Sequence, residues 1–325
     1  LDEGRRAELL VADWGSLAAA DHGRGRVVLL RQTASRKFQP VVLASKLGRV
    51  ADVRPADVDG DSDQDLIVAE FGIHETGRTV LLRNRSDSEN PHRFVLEELD
   101  GRPGTSQVLP FDLTGNGRMD FVSLVSQEYE QVVMFINWHE AKESGPAFRM
   151  QALWEAPDLT YGLSGIELVD LDSDGDIDIV YTNGDSFDNF IVNPSHGVQW
   201  LENDGDLRFT YHRIADMVGA CTARAGDIDL DGDQDIVVVS WVAAAAKPQS
   251  VVTGGLASVI CLEQTAPGTF ARHTLEAEFP RNPALELADF DDDGDLDFAI
   301  GAHPIDPSQQ SPHWVAVWWN EGTSR

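Results

Sequence analysis

Carboxylates recur in this chain at a spacing that suits one kind of chemistry. Segments of the form D-x-D-x-D-x-D-x-D, or close to it, run from Asp57 to Asp65, Asp112 to Asp120, Asp170 to Asp178, Asp227 to Asp235 and Asp289 to Asp297. Four or five carboxylates within nine residues repel one another unless a cation neutralises them, and a hard cation with oxygen ligands, calcium above all, does so. Read like an EF-hand loop, positions 1, 3 and 5 supply side-chain oxygens, position 7 a backbone carbonyl, and position 9 closes the site.

The ligand sets that follow are Asp57, Asp59, Asp61, Asp63 and Asp65 in the first loop, and Asp112, Thr114, Asn116, Arg118 and Asp120 in the second. The third has Asp170, Asp172, Asp174, Asp176 and Asp178, the fourth Asp227, Asp229, Asp231, Asp233 and Asp235, and the fifth Asp289, Asp291, Asp293, Asp295 and Asp297. A carbonyl at position 7 tolerates any side chain, which accounts for Arg118. A glycine at position 6 (Gly117, Gly175, Gly232, Gly294) permits the tight turn, and the first loop departs from this with Gly60 at position 4 and Ser62 at position 6. Thr114 and Asn116 are neutral donors, so the second loop is expected to be the weakest complete site.

These loops must be held by something regular. Their first residues lie 55, 58, 57 and 62 positions apart, a period that belongs to blades or solenoid turns. Each unit reads alike. A short apolar strand such as Ile166 to Val169 enters the loop, and a second strand leaves it (Leu66 to Ala69, Phe121 to Val125, Ile179 to Tyr181, Ile236 to Val239, Phe298 to Ile300). The second strands are almost continuously apolar, as strands covered on both faces are. A variable segment leads to a third strand and a turn to a fourth, beginning at Phe94, Phe148, Phe209 and Phe270. Four antiparallel strands per unit make a propeller blade, so the fold expected is an all-β propeller forming one domain over residues 1–325. The shorter coils of a calcium-binding β-helix do not fit this period.

The repeats resemble the FG-GAP or VCBS family of calcium-binding β-propellers across essentially the whole chain. The resemblance implies that each aspartate loop joins the first and second strands of a blade, and that seven blades are common. Aligning Glu8 to Gly15 with Asp65 to Gly72 puts Leu1 at position 2 of a sixth loop without its first aspartate. The expectation is therefore a fragment covering about six blades of a seven-bladed parent, binding about five to six calcium ions, with further domains fused upstream.

Composition narrows the partners. The 55 acidic residues outnumber the 25 basic ones for a formal charge of -30, and 23 of the acids lie in the five loops. Such a surface disfavours nucleic acid and anionic membranes. No apolar run approaches the ~18 residues of a membrane span. Open, aspartate-rich loops suit millimolar calcium, which points to a secreted, periplasmic or cell-surface setting. Cys221 and Cys261 lie on first and third strands of one blade, about 9 to 10 Å apart across two ladder steps, so free thiols are expected.

In a four-stranded antiparallel blade the first-to-second and third-to-fourth turns share one end, and the long second-to-third loops lie at the other. That second end carries His22, Glu70, His74, Glu128, Tyr129, Asp185, His196 and His303 as a candidate ligand face. The expected function is a calcium-stabilised binding or scaffold module for a glycan or protein partner through that face. The alternative is a carbohydrate-active lyase or dehydratase using a His or Tyr as base; it requires at least two of the four histidines to converge beside a Tyr or Arg. Trp14, Phe71 and Trp241, each ending a second strand, are expected in the core between blades.

Overall fold

The computed structural model describes residues 8–18, 20–138, 148–187, 189–277, 280–303 and 314–322. The start of the proposed sixth loop at Leu1 lies outside them. The chain divides into two compact units, residues 1–159 and 160–325.

The first unit contains three antiparallel sheets. They are β1 (Glu8–Asp13), β2 (Gly25–Ala34) and β3 (Lys37–Leu47); then β4 (Val50–Ala56), β5 (Asp65–Glu70), β6 (Arg78–Asn84) and β7 (Phe94–Asp100); then β8 (Thr105–Phe111), β9 (Asp120–Val125), β10 (Gln131–Asn137) and β11 (Phe148–Glu155). The second unit repeats the scheme with β12 (Gly165–Val169), β13 (Asp178–Thr182), β14 (Gly197–Asn203) and β15 (Phe209–Asp216); β16 (Ala220–Gly226), β17 (Asp235–Ser240), β18 (Val259–Ala266) and β19 (Thr269–Glu276); and β20 (Ala284–Ala288), β21 (Asp297–Gly301) and β22 (Val315–Trp318). Every sheet is a meander of sequence neighbours. The only α-helix among the described residues is the single turn α1 (Gln249–Val252). Within the first unit β4 lies against β8, and within the second β16 lies against both β12 and β20. First strands side by side are the packing of propeller blades, so the protein is an all-β propeller of six blades, three in each unit.

The apolar second strands explain why the blades stack. All six residues of β5, β9 and β17 are buried. Alternate side chains of a strand point to opposite faces, and each face meets a different neighbour. Leu66 and Val68 pack with Val27 and Leu47 of the preceding blade, whereas Ile67 and Ala69 pack with Val108, Phe121 and Val133 of the next blade. Ile236 and Val238 likewise face Val180 and Trp200, while Val237 and Val239 face Leu285 and Phe298. Each fully buried Val, Leu or Ile contributes about 1.5–3 kcal/mol, so a two-sided strand is worth most in the middle of the stack. Outer strands need no such run: β7 and β15 are largely exposed or half-buried.

A bulge recurs at the start of the third-to-fourth pairing, between Thr79 and Val80, Val132 and Val133, Val198 and Gln199, and Val259 and Ile260. An extra residue at the same place in each blade raises the twist that fans the strands apart. Cys221 and Cys261 are both free, with β17 between their strands, and burial pushes each thiol up to about 12. Phe71 and Trp241 are buried, and Trp241 donates its Nε1–H to the His303 carbonyl at 3.0 Å.

Candidate metal centres

The five loops fold alike because their backbones demand the same two exceptional residues. Positions 4 and 6 have positive φ in every loop: Gly60 and Ser62, Gly115 and Gly117, Ser173 and Gly175, Leu230 and Gly232, Asp292 and Gly294. The first loop therefore differs in residue type and not in path. Glycine removes the steric cost of this conformation at position 6 in four loops, while Ser62 bears it in the first.

Position 1 organises the turn. Asp170 accepts the backbone N–H of Asp174 on one oxygen and that of Gly175 on the other, both at 3.1 Å. Asp112, Asp227 and Asp289 do the same for the residues at positions 5 and 6, whereas Asp57 takes Gly60 and Ser62. Position 5 then accepts the N–H of position 7, as Asp174 does from Asp176 at 2.9 Å.

Position 9 does something the motif does not announce. Asp65, Asp120, Asp178, Asp235 and Asp297 are almost completely buried at the start of the second strand. One oxygen of each accepts a backbone N–H from the end of the third strand, at Asn84, Asn137, Asn203, Gln264 or Asn320, at 2.7–2.8 Å. The other accepts an N–H near the loop's start, at Val58, Thr114, Leu171, Ile228 or Phe290. This carboxylate ties loop to sheet whether or not it also holds a cation.

The amide partner was not legible from the aspartate spacing. Asn137 donates its side-chain N–H to the Val58 carbonyl of the preceding loop at 2.8 Å, Gln264 to Leu171 at 2.9 Å and Asn320 to Ile228 at 2.7 Å. The same amides also reach the position-8 carbonyl of their own loop. One side chain thus joins two adjacent blades. The signal that could have found it is an Asn or Gln ending each third strand, in Leu-Leu-Arg-Asn, Phe-Ile-Asn, Trp-Leu-Glu-Asn, Cys-Leu-Glu-Gln and Val-Trp-Trp-Asn.

Four clusters result in which three carboxylates each offer an oxygen within 4.8 Å of the others: Asp57, Asp59 and Asp61; Asp170, Asp172 and Asp178; Asp227, Asp229 and Asp235; Asp289, Asp291 and Asp297. These groups could hold metal ions. Further oxygens turn into the loops without any hydrogen bond: Oδ1 of Asp59, Asp63, Asp233 and Asp295 is buried and unpartnered. Position 7 thus brings a carboxylate inward in three loops, beyond the backbone carbonyl expected of it. A buried, unpaired carboxylate oxygen is costly alone and satisfied by a cation, so the residues present fit the ion. The Asp112 loop has only two carboxylates. In the first loop Arg85 reaches Asp59 at 3.4 Å and Asp61 at 3.8 Å, bringing an internal positive charge to the rim. In the third and fourth, Glu202 and Glu263 add negative charge near Asp172 and Asp229.

The electrostatics carry the same strain. Burial pushes Asp65 and Asp178 up to about 6, against the lowering effect of their backbone hydrogen bonds. Burial, then the neighbouring carboxylates of Asp231 and Asp293, push Asp233 and Asp295 up to about 6 as well. For such a group the cost of ionisation in the native state is absent below the unfolded value near 3.8 and fully present above 6, so stability falls as pH rises through that window. His196 acts oppositely: burial, then Arg213, lower it to about 4, and its contribution is lost as pH falls from about 6.5 to 4. Four raised carboxylates outweigh one lowered histidine. Metal-free protein is therefore expected to melt higher at pH 5 than at pH 7.5 in calorimetry, with calcium shrinking or reversing the difference; a higher metal-free melt at pH 7.5 would refute the assignment.

At the other end of the blades the expected ligand face is only partly free. In the first unit, Glu70 is buried, accepting the Gly48 N–H at 2.7 Å and pairing with Arg78 at 3.0 Å. Tyr129 packs on the core with the Arg102 guanidinium 4.9 Å above its ring. Asp21 fastens residues 74–76 by accepting their backbone N–H groups. His22 accepts the Arg24 N–H, and His74 meets Glu128 at 3.1 Å in the open. In the second unit, Asp185 caps Phe187, and His196 is buried with backbone N–H groups of Asn193 and Gly219 facing its two ring nitrogens. His303 is half-buried. The loops after β13 and β17 pack on each other there, around Val192, Trp241 and Val252 with Phe187.

Blades with carboxylate clusters between their first and second strands define an acidic-loop β-propeller. No family model matches the chain, and no curated protein does. Among solved structures, that of the rhamnogalacturonan lyase YesW is similar, with a TM-score of 0.46 at 12% identity, over 91% of this chain and 53% of the lyase chain. The chain spans about half the length of that lyase, and a likeness of this degree says nothing about activity. Among the described residues, no helix is long and apolar enough to cross a membrane.

Proposed function

We propose that this chain is a calcium-stapled propeller of the FG-GAP or VCBS kind, secreted, periplasmic or on the cell surface, that serves as a binding or scaffold module. The observation that carries this reading is the set of four three-carboxylate clusters, built by the same backbone between the first and second strands of four blades. Calcium, when bound, would be held by the oxygens at positions 1, 3, 5 and 9 and by the inward carboxylates at position 7, and would supply charge neutralisation. The chain's own residues do the rest: position 1 shapes the turn, position 9 anchors it to the sheet, and the terminal amide of the third strand joins it to the next blade.

The partner, a glycan or a protein, is proposed to meet the second-to-third loops, where the His74 and Glu128 side chains are respectively 67% and 56% exposed. Exposed and paired, with the His74 segment fastened by Asp21, they suit recognition; the sealed His196 does not suit proton transfer. A glycan array probed with the protein in calcium, beside His74→Ala and Glu128→Ala variants, tests this. The expected result is a signal lost in both variants at unchanged melting temperature. Signals indifferent to both substitutions would remove these loops from the binding surface.

A further inference from the structure

The first sheet departs from the others at the end that carries the acidic loops. β2 and β3 run 10 and 11 residues, whereas third and fourth strands of the four-stranded sheets run 7 or 8. Arg31 still pairs with Glu8 of β1, and the extra length carries the hairpin tip, Gln32 to Lys37, past it. Facing it is the turn between β6 and β7, which is internally fastened: Arg85 N–H donates to the Arg93 carbonyl at 2.8 Å, and Asp87 accepts the N–H groups of Glu89 and Asn90 at 2.8 and 2.7 Å. Between hairpin and turn lies a cavity of 460 Å³, within the range of about 300–1,000 Å³ typical of small-molecule sites.

We propose that this cavity is a binding site for a neutral polyhydroxylated ligand of one or two sugar rings. Leu29, Leu43 and Phe94 form an apolar wall that suits the C–H face of a sugar ring. Opposite charges line the rest: Arg31, whose Nε serves Glu8 at 3.1 Å, together with Asp63, Asp87 and His92. Burial, then the Arg31 charge, lower His92, so at neutral pH its ring offers one donor and one acceptor. Hydroxyl groups both donate and accept, and match this mixture. An anion would face three carboxylates against one arginine. An apolar guest would leave those polar groups desolvated and unpaired.

Asp63 lines the cavity and also belongs to the first acidic loop, so the wall nearest that loop is held by the same turn. The cavity does not depend on the histidine and glutamate at the other end of the blades, and its test separates the two. Saturation-transfer NMR with glucose, galactose, mannose, rhamnose and N-acetylglucosamine, each at millimolar concentration with calcium present, should give ring-proton signals for at least one sugar. Those signals should fall at least tenfold in Arg31→Gln and in His92→Gln, while Arg208→Gln, at an exposed arginine of the β14–β15 turn, leaves them intact. Loss in His74→Ala with retention in Arg31→Gln would place the sugar at the other end and overturn the inference. So would silence across the panel from protein with an unchanged melting curve. Putrescine run beside the sugars covers the remaining class, and binding of the diamine without any sugar would also overturn it.

Discussion

Chelation is expected to lower the melting temperature of this protein by on the order of 10 °C or more, and calcium to restore it. A filled site at a free calcium concentration 100-fold above its dissociation constant stabilises the native state by about 2.7 kcal/mol. Four clusters of three carboxylates then give on the order of 10 kcal/mol, and each kcal/mol moves the melt of a large domain by about 2–4 °C. Calorimetry of dialysed protein with and without calcium measures the shift. Magnesium should restore much less, because it demands a small octahedral shell whereas these loops offer many oxygens on a pliable backbone. The loop of Asp112 should add least, having only two carboxylates, so Asp112→Asn should change the calcium increment less than Asp170→Asn. A melt indifferent to chelator would end the calcium reading.

Two substitutions nine-residue loops apart in role, although close in sequence, should separate scaffold from ligand. Asp178→Ala removes a buried carboxylate that accepts the N–H of Asn203 at 2.7 Å and of Leu171 at 3.0 Å. Each buried donor left unpaired costs about 1–3 kcal/mol, so the variant should lose about 2 to 6 kcal/mol without calcium, and more with it because position 9 is also a ligand. Asp174→Ala removes an exposed carboxylate that accepts the N–H of Asp176. Without calcium it should cost less than about 1 kcal/mol, because lost turn bonding is offset by relief of like-charge repulsion. With calcium it should cost more, having removed a ligand. Denaturant titration of both variants in each condition measures the four values. Equal, calcium-independent losses in both would mean that the loop is a turn and nothing more.

Much of the architecture was visible in the residues. The second strands at Leu66 to Ala69 and Ile236 to Val239 are apolar at every position because both faces are covered, and the structure sends their alternate side chains to different blades. The four Phe residues that open the fourth strands mark β7, β11, β15 and, one residue in, β19. The chemistry was less legible. Position 9 read as one more ligand, and its hydrogen bonds to the third strand depend on a partner 17 to 29 residues away. The loop of Asp57 read as a departure, yet its backbone carries positive φ at the same two positions as the rest.

Sequence by itself determined the local and periodic properties: where strands run, where the chain turns, and where carboxylates crowd within nine residues. Those follow from alternation, backbone conformation and like-charge repulsion, which act over short stretches of chain. Tertiary structure decided which polar residues are spent on holding the fold. Glu70, expected in a loop, ends β5 as a buried partner of Arg78, and Asp21 became a clasp for residues 74–76, while His74 and Glu128 were left in the open. Burial and hydrogen-bond partners arise only when distant segments meet, so a carboxylate that staples and one that waits for a ligand are identical until the blades are assembled.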